Sequence, residues 1–307
     1  MKLARVFFVL IFGMVSHAHA TAATTAIFGG GPIYSGGKEA MDTLRASGFT
    51  TVIIWTIHVD AKTSDLILND KKVAAGGTYV GDPAWPEQLA TLKQAPTSVD
   101  RIEIGISSWG VNDFKVLKDL MKAQGTGPDS ILYQNFKALK AATGADAACF
   151  DDETFYDADS TVQFGKMLGD MGYKISLSPY TNQGFWRTVQ SRLGKQVDAI
   201  YLQCYAGGAA NTPEMWQNTF RDLKPMPGLE CRHGNDCSQG ENPVEVAAKM
   251  KSWQHSAKIT GGFMWLFDDM LHCSKEGTVA DYAHAIQSGI GETKPASPEP
   301  DATPELK

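Results

Sequence analysis

The sequence has little positive charge to spare. Its 28 Lys and Arg stand against 34 Asp and Glu, a formal net charge of −6 with histidine neutral. The basic residues form no cluster. A chain that grips a phosphate backbone needs a basic patch or stripe, so no nucleic-acid partner is expected. Long hydrophobic runs are missing as well, outside the first twenty residues. There, Lys2 and Arg5 precede an apolar run from Val6 to Val15, and Ala18-His19-Ala20 follows. The run is too short to span a bilayer. A basic start, a short apolar stretch and a small-x-small site read as a secretory signal peptide cut before Thr21; the alternative is a buried N-terminal helix. Removing 20 of the 307 residues leaves 287, and the loss of Lys2 and Arg5 takes the formal charge from −6 to −8.

Two kinds of glycine loop are also lacking. Gly29-Gly30-Gly31-Pro32 follows the strand Ala26-Ile27-Phe28, but no GK[ST] comes after it, so the stretch is a loop and not a phosphate cradle. No dinucleotide fingerprint follows that strand either, and no cofactor is expected. Cysteine is sparse: five residues, all beyond the leader. In an oxidising compartment they favour disulfides. Cys231 and Cys237 flank the polar loop Arg-His-Gly-Asn-Asp, and Cys273 lies in another late loop. A bond within this trio is expected, Cys231–Cys237 first, although sequence does not fix connectivity and an odd count leaves a thiol free. A zinc site using His233 and His272 beside these cysteines is the alternative. The spacing matches no closed zinc site well, so no metal is expected.

What the chain does have is Ala145 to Tyr156, an apolar run ending in three carboxylates: Ala-Asp-Ala-Ala-Cys-Phe-Asp-Asp-Glu-Thr-Phe-Tyr. If Ala147 to Glu153 is a strand, Cys149, Asp151 and Glu153 share one face, and Phe150 and Asp152 the other. Two acids two residues apart on one face push their pKa values apart. One can then donate a proton near neutral pH while the other stays ionised, the division of labour that glycoside hydrolysis requires. The competing reading is a set of acids that cap a helix or sit in solvent.

The rest of the chain alternates strands and helices. Thr50–Val59 is a β-branched run without alternation, as expected of a strand buried on both faces. Leu66–Val80 reads as a small β-hairpin inserted after this second strand, turning at Asn69-Asp70. Further strands are expected at Arg101–Ser107, Lys174–Pro179, Val197–Tyr205, Met226–Cys231 and Ile259–Phe267. Helices are expected at Gly37–Ser47, Trp85–Leu92, Phe114–Met121, Ile131–Ala142, Ser160–Met171, Phe185–Leu193, Pro213–Leu223, Pro243–Lys258 and Thr278–Ile290. About eight strands alternating with helices indicate an α/β fold, a single TIM (β/α)8 barrel occupying 21–291, followed by a disordered Pro-rich tail over 292–307. Barrels carry their chemistry at the C-terminal strand ends. Asp151, Glu153, Gln203, Tyr205, Trp265 and Asp268 fall there.

At this point the residues resemble a family. Asp146-Ala-Ala-Cys149-Phe-Asp151-Asp152-Glu153 is similar to the fourth-strand signature DxxDxDxE of glycoside hydrolase family 18, and its Asp-Asp-Glu ending to the bacterial endo-β-N-acetylglucosaminidases. Gln203-Cys-Tyr205 resembles the family's Met/Gln-x-Tyr, and Gly261-Gly262-Phe-Met264-Trp265 its closing Gly-Gly-x-Met-x-Trp. The resemblance covers most of 25–290. It implies a secreted or periplasmic hydrolase cleaving β-1,4 bonds next to N-acetylglucosamine, in an N-glycan core or a chitooligosaccharide, acting as a monomer. It also implies roles. Glu153 protonates the leaving oxygen. Asp151 orients the 2-acetamido group that acts as nucleophile. Tyr205 hydrogen-bonds that group, and Trp265 floors the reacting sugar. Cys149 departs from the signature, which has Asp there, and keeps open a non-catalytic, lectin-like barrel.

Weaker candidates remain. Trp55, Trp109, Tyr180, Asn182 and Trp186 stand at or just after strand ends, as sugar subsites or as packing. Asp268 and Asp269 read as a sugar ligand or as loop caps. His58 reads as structural and Cys149 as buried and inert.

Overall fold

The computed structural model describes residues 23–291. The expected leader and Pro-rich tail lie outside the described residues. Eight parallel strands close a ring: β1 (Thr24–Gly29), β2 (Thr51–Val59), β6 (Arg101–Ile106), β7 (Ala147–Phe150), β8 (Lys174–Leu177), β9 (Val197–Gln203), β10 (Met226–Glu230) and β11 (Gly261–Trp265). β1 pairs with both β2 and β11, which leaves the ring without an edge. This is a TIM barrel. The β-branched run of β2 is almost wholly buried, as a strand packed between a barrel interior and outer helices must be.

Outside the ring, β3 (Leu66–Leu68), β4 (Lys71–Ala75) and β5 (Thr78–Tyr79) form an antiparallel meander on β2. The insertion has three strands rather than the two of a hairpin. Asn69 makes the first turn at φ 54°, and Gly76 and Gly77 make the second with positive φ.

Period two along each strand splits the apolar residues into two cores. One lies between strands and helices. The smaller fills the barrel: Ala26, Phe28, Ile53, Cys149, Ala199, Tyr201, Tyr205, Met226 and Phe263. Gly228 makes room for the Phe263 ring, since a Cβ there would stand 2.0 Å from it.

Three boundaries differ from the sequence reading. The organising strand ends at Phe150, and Asp151 to Glu153 lie just beyond it. The helix expected over 213–223 is only Pro213–Trp216, and the following chain turns back through Asp222 at φ 56°. A helix, Phe267–His272, begins where Asp268 and Asp269 read as loop acids. Both stand in its first turn, where the helix dipole favours negative charge.

Candidate active site

The barrel's C-terminal end carries a cavity of about 320 Å³ lined by Trp55, Ser108, Trp109, Asp151, Glu153, Tyr180, Gln203, Tyr205, Ala206, Gly207, Glu230 and Trp265. Six residues singled out as catalytic or substrate-binding therefore share it: Asp151, Glu153, Tyr180, Gln203, Tyr205 and Trp265.

The three acids after β7 have separate surroundings. Asp152, 1 % exposed, points away from the cavity. Its carboxylate accepts the backbone N–H groups of Thr154, Phe155 and Tyr156 at 3.2, 2.9 and 2.8 Å. It shapes the loop that carries Glu153. Asp151, equally buried, accepts from Gln203 Nε2 at 3.0 Å, and the same amide donates to the Ser178 carbonyl at 3.0 Å. Burial pushes the Asp151 carboxyl well above the usual range, and the nearby Glu153 charge adds to the rise. Burial raises Glu153 as well. Two carboxyls this close do not both ionise readily, so the pair holds one proton between them at a pH where free acids have lost theirs.

Beneath them, Cys149 is fully buried, and burial pushes its thiol up, so it is neutral. No second carboxylate presses on Asp151 from that side. The Asp151 charge is therefore set by burial first, and then by Glu153 and Gln203.

The Trp265 indole is held by aromatic neighbours. Trp55 meets it edge-on at 4.9 Å, Phe28 tilts against it at 5.6 Å, and Tyr205 stacks at 6.0 Å. A flat apolar face fixed in this way suits a pyranose ring. The Tyr205 residue is 9 % exposed, and no described residue hydrogen-bonds its hydroxyl. Trp55 Nε1 is likewise buried without a partner. Trp109, 78 % exposed at the cavity's margin, presents an open aromatic face.

Other candidates fall elsewhere. Asp268 does not line the cavity; its Oδ2 accepts the Gly30 N–H at 2.9 Å and ties the first loop to the last strand's helix. Trp186 is buried against Phe185, and Asn182 precedes their helix. His58 pairs with Asp113, Nδ1 to Oδ2 at 2.8 Å, while Asp113 also accepts the Val59 N–H at 2.9 Å. That is a structural arrangement. Asp269 is half-buried and raised by burial, with His233 drawing it down.

Glu230 lines the cavity and was not among the candidates. The register of the closed ring supplies what the sequence of β10 did not. β10 pairs Glu230 with Trp265 of β11, so counting by twos from Gly228 brings it inward.

The disulfide is Cys237–Cys273, with Cα atoms 5.6 Å apart, and not Cys231–Cys237. Cys231 is buried at the end of β10 with its thiol toward the Leu266 carbonyl at 3.4 Å, while the polar loop carries Cys237 across to the chain after Phe267–His272. Cys237, His272 and Cys273 do lie within 4.8 Å of one another. Their two sulfurs are bonded together, which leaves no thiolate for zinc. His233 stands instead 3.7 Å from Glu230.

With this geometry in view, the comparisons with known structures become informative. A family GH18 chitinase catalytic domain from the fern Peteris ryukyuensis superposes with a TM-score of 0.57 at 12 % identity, covering 86 % of this chain and 99 % of that one. A GH18 chitinase from Cycas revoluta, in complex with (GlcNAc)4, gives 0.60 at 12 % identity, covering 88 % and 100 %. A chitinase-like agglutinin from Robinia pseudoacacia gives 0.58 at 12 %, covering 88 % and 100 %. The chain folds as a glycoside hydrolase family 18-like barrel. No family model matches the sequence, and no curated protein does. The likeness is carried by the fold, and the residues in the cavity have to carry the chemistry.

Proposed function

We propose that this protein is a secreted glycoside hydrolase cleaving β-1,4 bonds next to N-acetylglucosamine, in chitooligosaccharides or an N-glycan core, by substrate-assisted catalysis. The observation that carries this reading is the convergence of Asp151 and Glu153 with Tyr205, Gln203 and Trp265 on a single cavity. Similar barrels crystallised with N-acetylglucosamine oligomers support the substrate class.

The steps follow from the groups. The reacting sugar lies on Trp265. Glu153 gives its proton to the glycosidic oxygen as that bond to the anomeric carbon breaks. The acetamido carbonyl oxygen of the same sugar forms the new bond to that carbon. Asp151, ionised while the pair's one proton sits on Glu153, accepts the acetamido N–H and offsets the positive charge of the oxazolinium. The Tyr205 hydroxyl supplies the remaining hydrogen bond to the acetamido group. Water then attacks the anomeric carbon, breaking its bond to the acetamido oxygen and restoring the acetamido group, and gives a proton back to Glu153. No covalent bond to the protein forms. Asp152, spent on the loop, takes no part, so the Asp-Asp-Glu ending does not by itself separate endo-β-N-acetylglucosaminidase from chitinase.

Cys149 favours a second reading, a barrel that binds glycan without turnover. One experiment separates the two. The purified protein is incubated with chitooligosaccharides and with a high-mannose glycoprotein, and products are read by mass spectrometry. Glu153→Gln keeps the shape and loses the transferable proton. General acid catalysis contributes about 10²- to 10⁴-fold, so the variant should lose at least about two orders of magnitude in turnover and still bind glycan. If wild type releases nothing from either substrate yet binds as Glu153→Gln does, the binding barrel replaces the enzyme.

A further inference from the structure

The cavity wall has an uneven charge. Three carboxylates line it, from Asp151, Glu153 and Glu230, and no Lys, Arg or His is among the lining residues. Asp151 and Glu153 have each other and Gln203. Glu230 differs. Among the described residues its carboxylate accepts no hydrogen bond, and the nearest cationic candidate, His233 Nε2, is 3.7 Å away, beyond hydrogen-bond reach. Its side chain is 26 % exposed. It stands beside Trp265 in the register of β10 and β11. Trp55, Tyr180, Tyr205 and Trp265 supply aromatic faces in the same space, and the Tyr205 hydroxyl, on a residue nine-tenths buried, is unpartnered there.

A partly desolvated carboxylate without a donor, among aromatic rings, is complementary to an ammonium group. The carboxylate provides a charge-assisted hydrogen bond, and the ring faces attract a cation within about 6 Å. The same wall repels uronic acids, sialic acids and sulfated sugars. We propose that Glu230 recognises the free ammonium of an unacetylated glucosamine unit, so that the preferred glycan is a mixed polymer of N-acetylglucosamine and glucosamine. This rests on the glycan reading above. The reacting unit must keep its acetamido group, because that group is the nucleophile. The ammonium therefore belongs to a neighbouring unit.

The test compares two kinds of β-1,4-linked tetramer, the fully acetylated one and a set with a single glucosamine at each defined position. Calorimetric binding is measured on the Glu153→Gln protein, which cannot turn them over, with and without Glu230→Gln. A mixed tetramer should bind about tenfold tighter than the acetylated one, the scale of one charge-assisted hydrogen bond in a partly buried setting. Glu230→Gln should abolish that preference and leave affinity for the acetylated tetramer within about twofold. The preference should also shrink at about 0.5 M salt, because a part-exposed charge pair is screened. If every mixed tetramer binds no tighter than the acetylated one, or the preference survives Glu230→Gln, Glu230 has no such role and the hydrolase reading stands. If neither kind of tetramer binds at all, the glycan reading falls and this inference falls with it.

Discussion

The barrel interior holds two acid clusters, one toward each end, and they are built on opposite rules. Toward the N-terminal end, Glu103 is fully buried and saturated with donors: Arg101 Nε at 2.6 Å, the Tyr201 hydroxyl at 2.8 Å and the Ser176 hydroxyl. Arg101 is in turn held by both oxygens of Asp198, at 2.9 and 2.7 Å. Toward the C-terminal end, Asp151 has one amide and a second acid, and Glu230 has no bonded partner. The first cluster gives each carboxylate donors within the fold, one guanidinium shared by two acids and two hydroxyls on Glu103. The second brings like charges together around empty space. A buried charge with its donors supplied within the fold is a structural element; one left short of donors is held ready for something that arrives. A hollow of about 650 Å³ at the base touches Arg101, Asp198 and Tyr201, twice the size of the cavity at the C-terminal end. Arg101 and Asp198 there are already paired with each other, which is why size alone is a poor guide to the site.

The largest effect should come from unbalancing the paired cluster. Glu103→Gln leaves Arg101 with Asp198 alone and takes the charged acceptor away from the Ser176 and Tyr201 hydroxyls. Breaking a buried ion pair by removing one partner costs about 3–5 kcal/mol. Asp198 still holds Arg101, so the lower end, about 3 kcal/mol, is expected in urea unfolding, while turnover per folded molecule is unchanged. A loss of turnover without loss of stability would erase the distinction between the two ends.

This contrast was only half legible in the sequence. β2 declares itself through Thr-Val-Ile-Ile-Trp-Thr-Ile, because a strand packed on both faces is apolar throughout. β7 ends in acids whose alternation continues past the last paired residue, so Asp151 and Glu153 could be assigned to one face. β10 is Met-Pro-Gly-Leu-Glu. It has no β-branched residue to set its phase, and Glu230 was passed over although it shares the cavity. Glu103 is the one carboxylate within Arg-Ile-Glu-Ile-Gly-Ile, and nothing in that run names its partners. Only the closure of the ring brings Tyr201, 98 residues later, to its carboxylate. The disulfide was misassigned for the same reason. Cys237 and Cys273 are 36 residues apart, and nearness in sequence favoured Cys231.

A middle-sized effect should come from relieving the unbalanced cluster. Asp151 has its carboxyl raised by burial and by Glu153. The folded chain therefore keeps a proton that the unfolded chain releases near pH 4. Wherever the folded state binds more protons, stability falls as pH rises. Wild type should lose stability from about pH 4 upward through the raised range of the pair, apart from the contributions of other groups. Asp151→Asn removes that charge. It should be more stable than wild type by about 1 kcal/mol at neutral pH, with a flatter pH dependence, and inactive on N-acetylglucosamine substrates. Thermal unfolding of both proteins across pH 4 to 8, a range set around the ordinary carboxylate value, measures it. A variant that is less stable than wild type at neutral pH would mean that Gln203 already compensates the Asp151 charge in full.

The finest distinction lies between two tyrosines four residues apart on one stretch of chain. Tyr201 and Tyr205 both point into the barrel, and both rings pack on Phe263, at 5.7 and 6.0 Å. Tyr201 donates its hydroxyl to Glu103 at 2.8 Å. The hydroxyl of Tyr205 has no partner among the described residues. The same substitution, Tyr to Phe, therefore removes one used and one unused hydroxyl from similar surroundings. Tyr201→Phe should destabilise the fold by about 1.5 kcal/mol, the lower range for a hydrogen bond to a charged group, and leave glycan affinity alone. Tyr205→Phe should leave stability within about 0.5 kcal/mol of wild type, since Tyr205 lines the cavity and its hydroxyl makes no bond within the described fold that could be lost. Its loss should appear instead in turnover, because the acetamido group would be held by one contact fewer in the transition state than in wild type. Measuring unfolding and kcat on both variants gives a crossed pattern if the two ends of the barrel divide the work in this way. Parallel losses in both variants would show that the interior is one cooperative polar network, and Tyr205 would then belong to the fold rather than to the sugar.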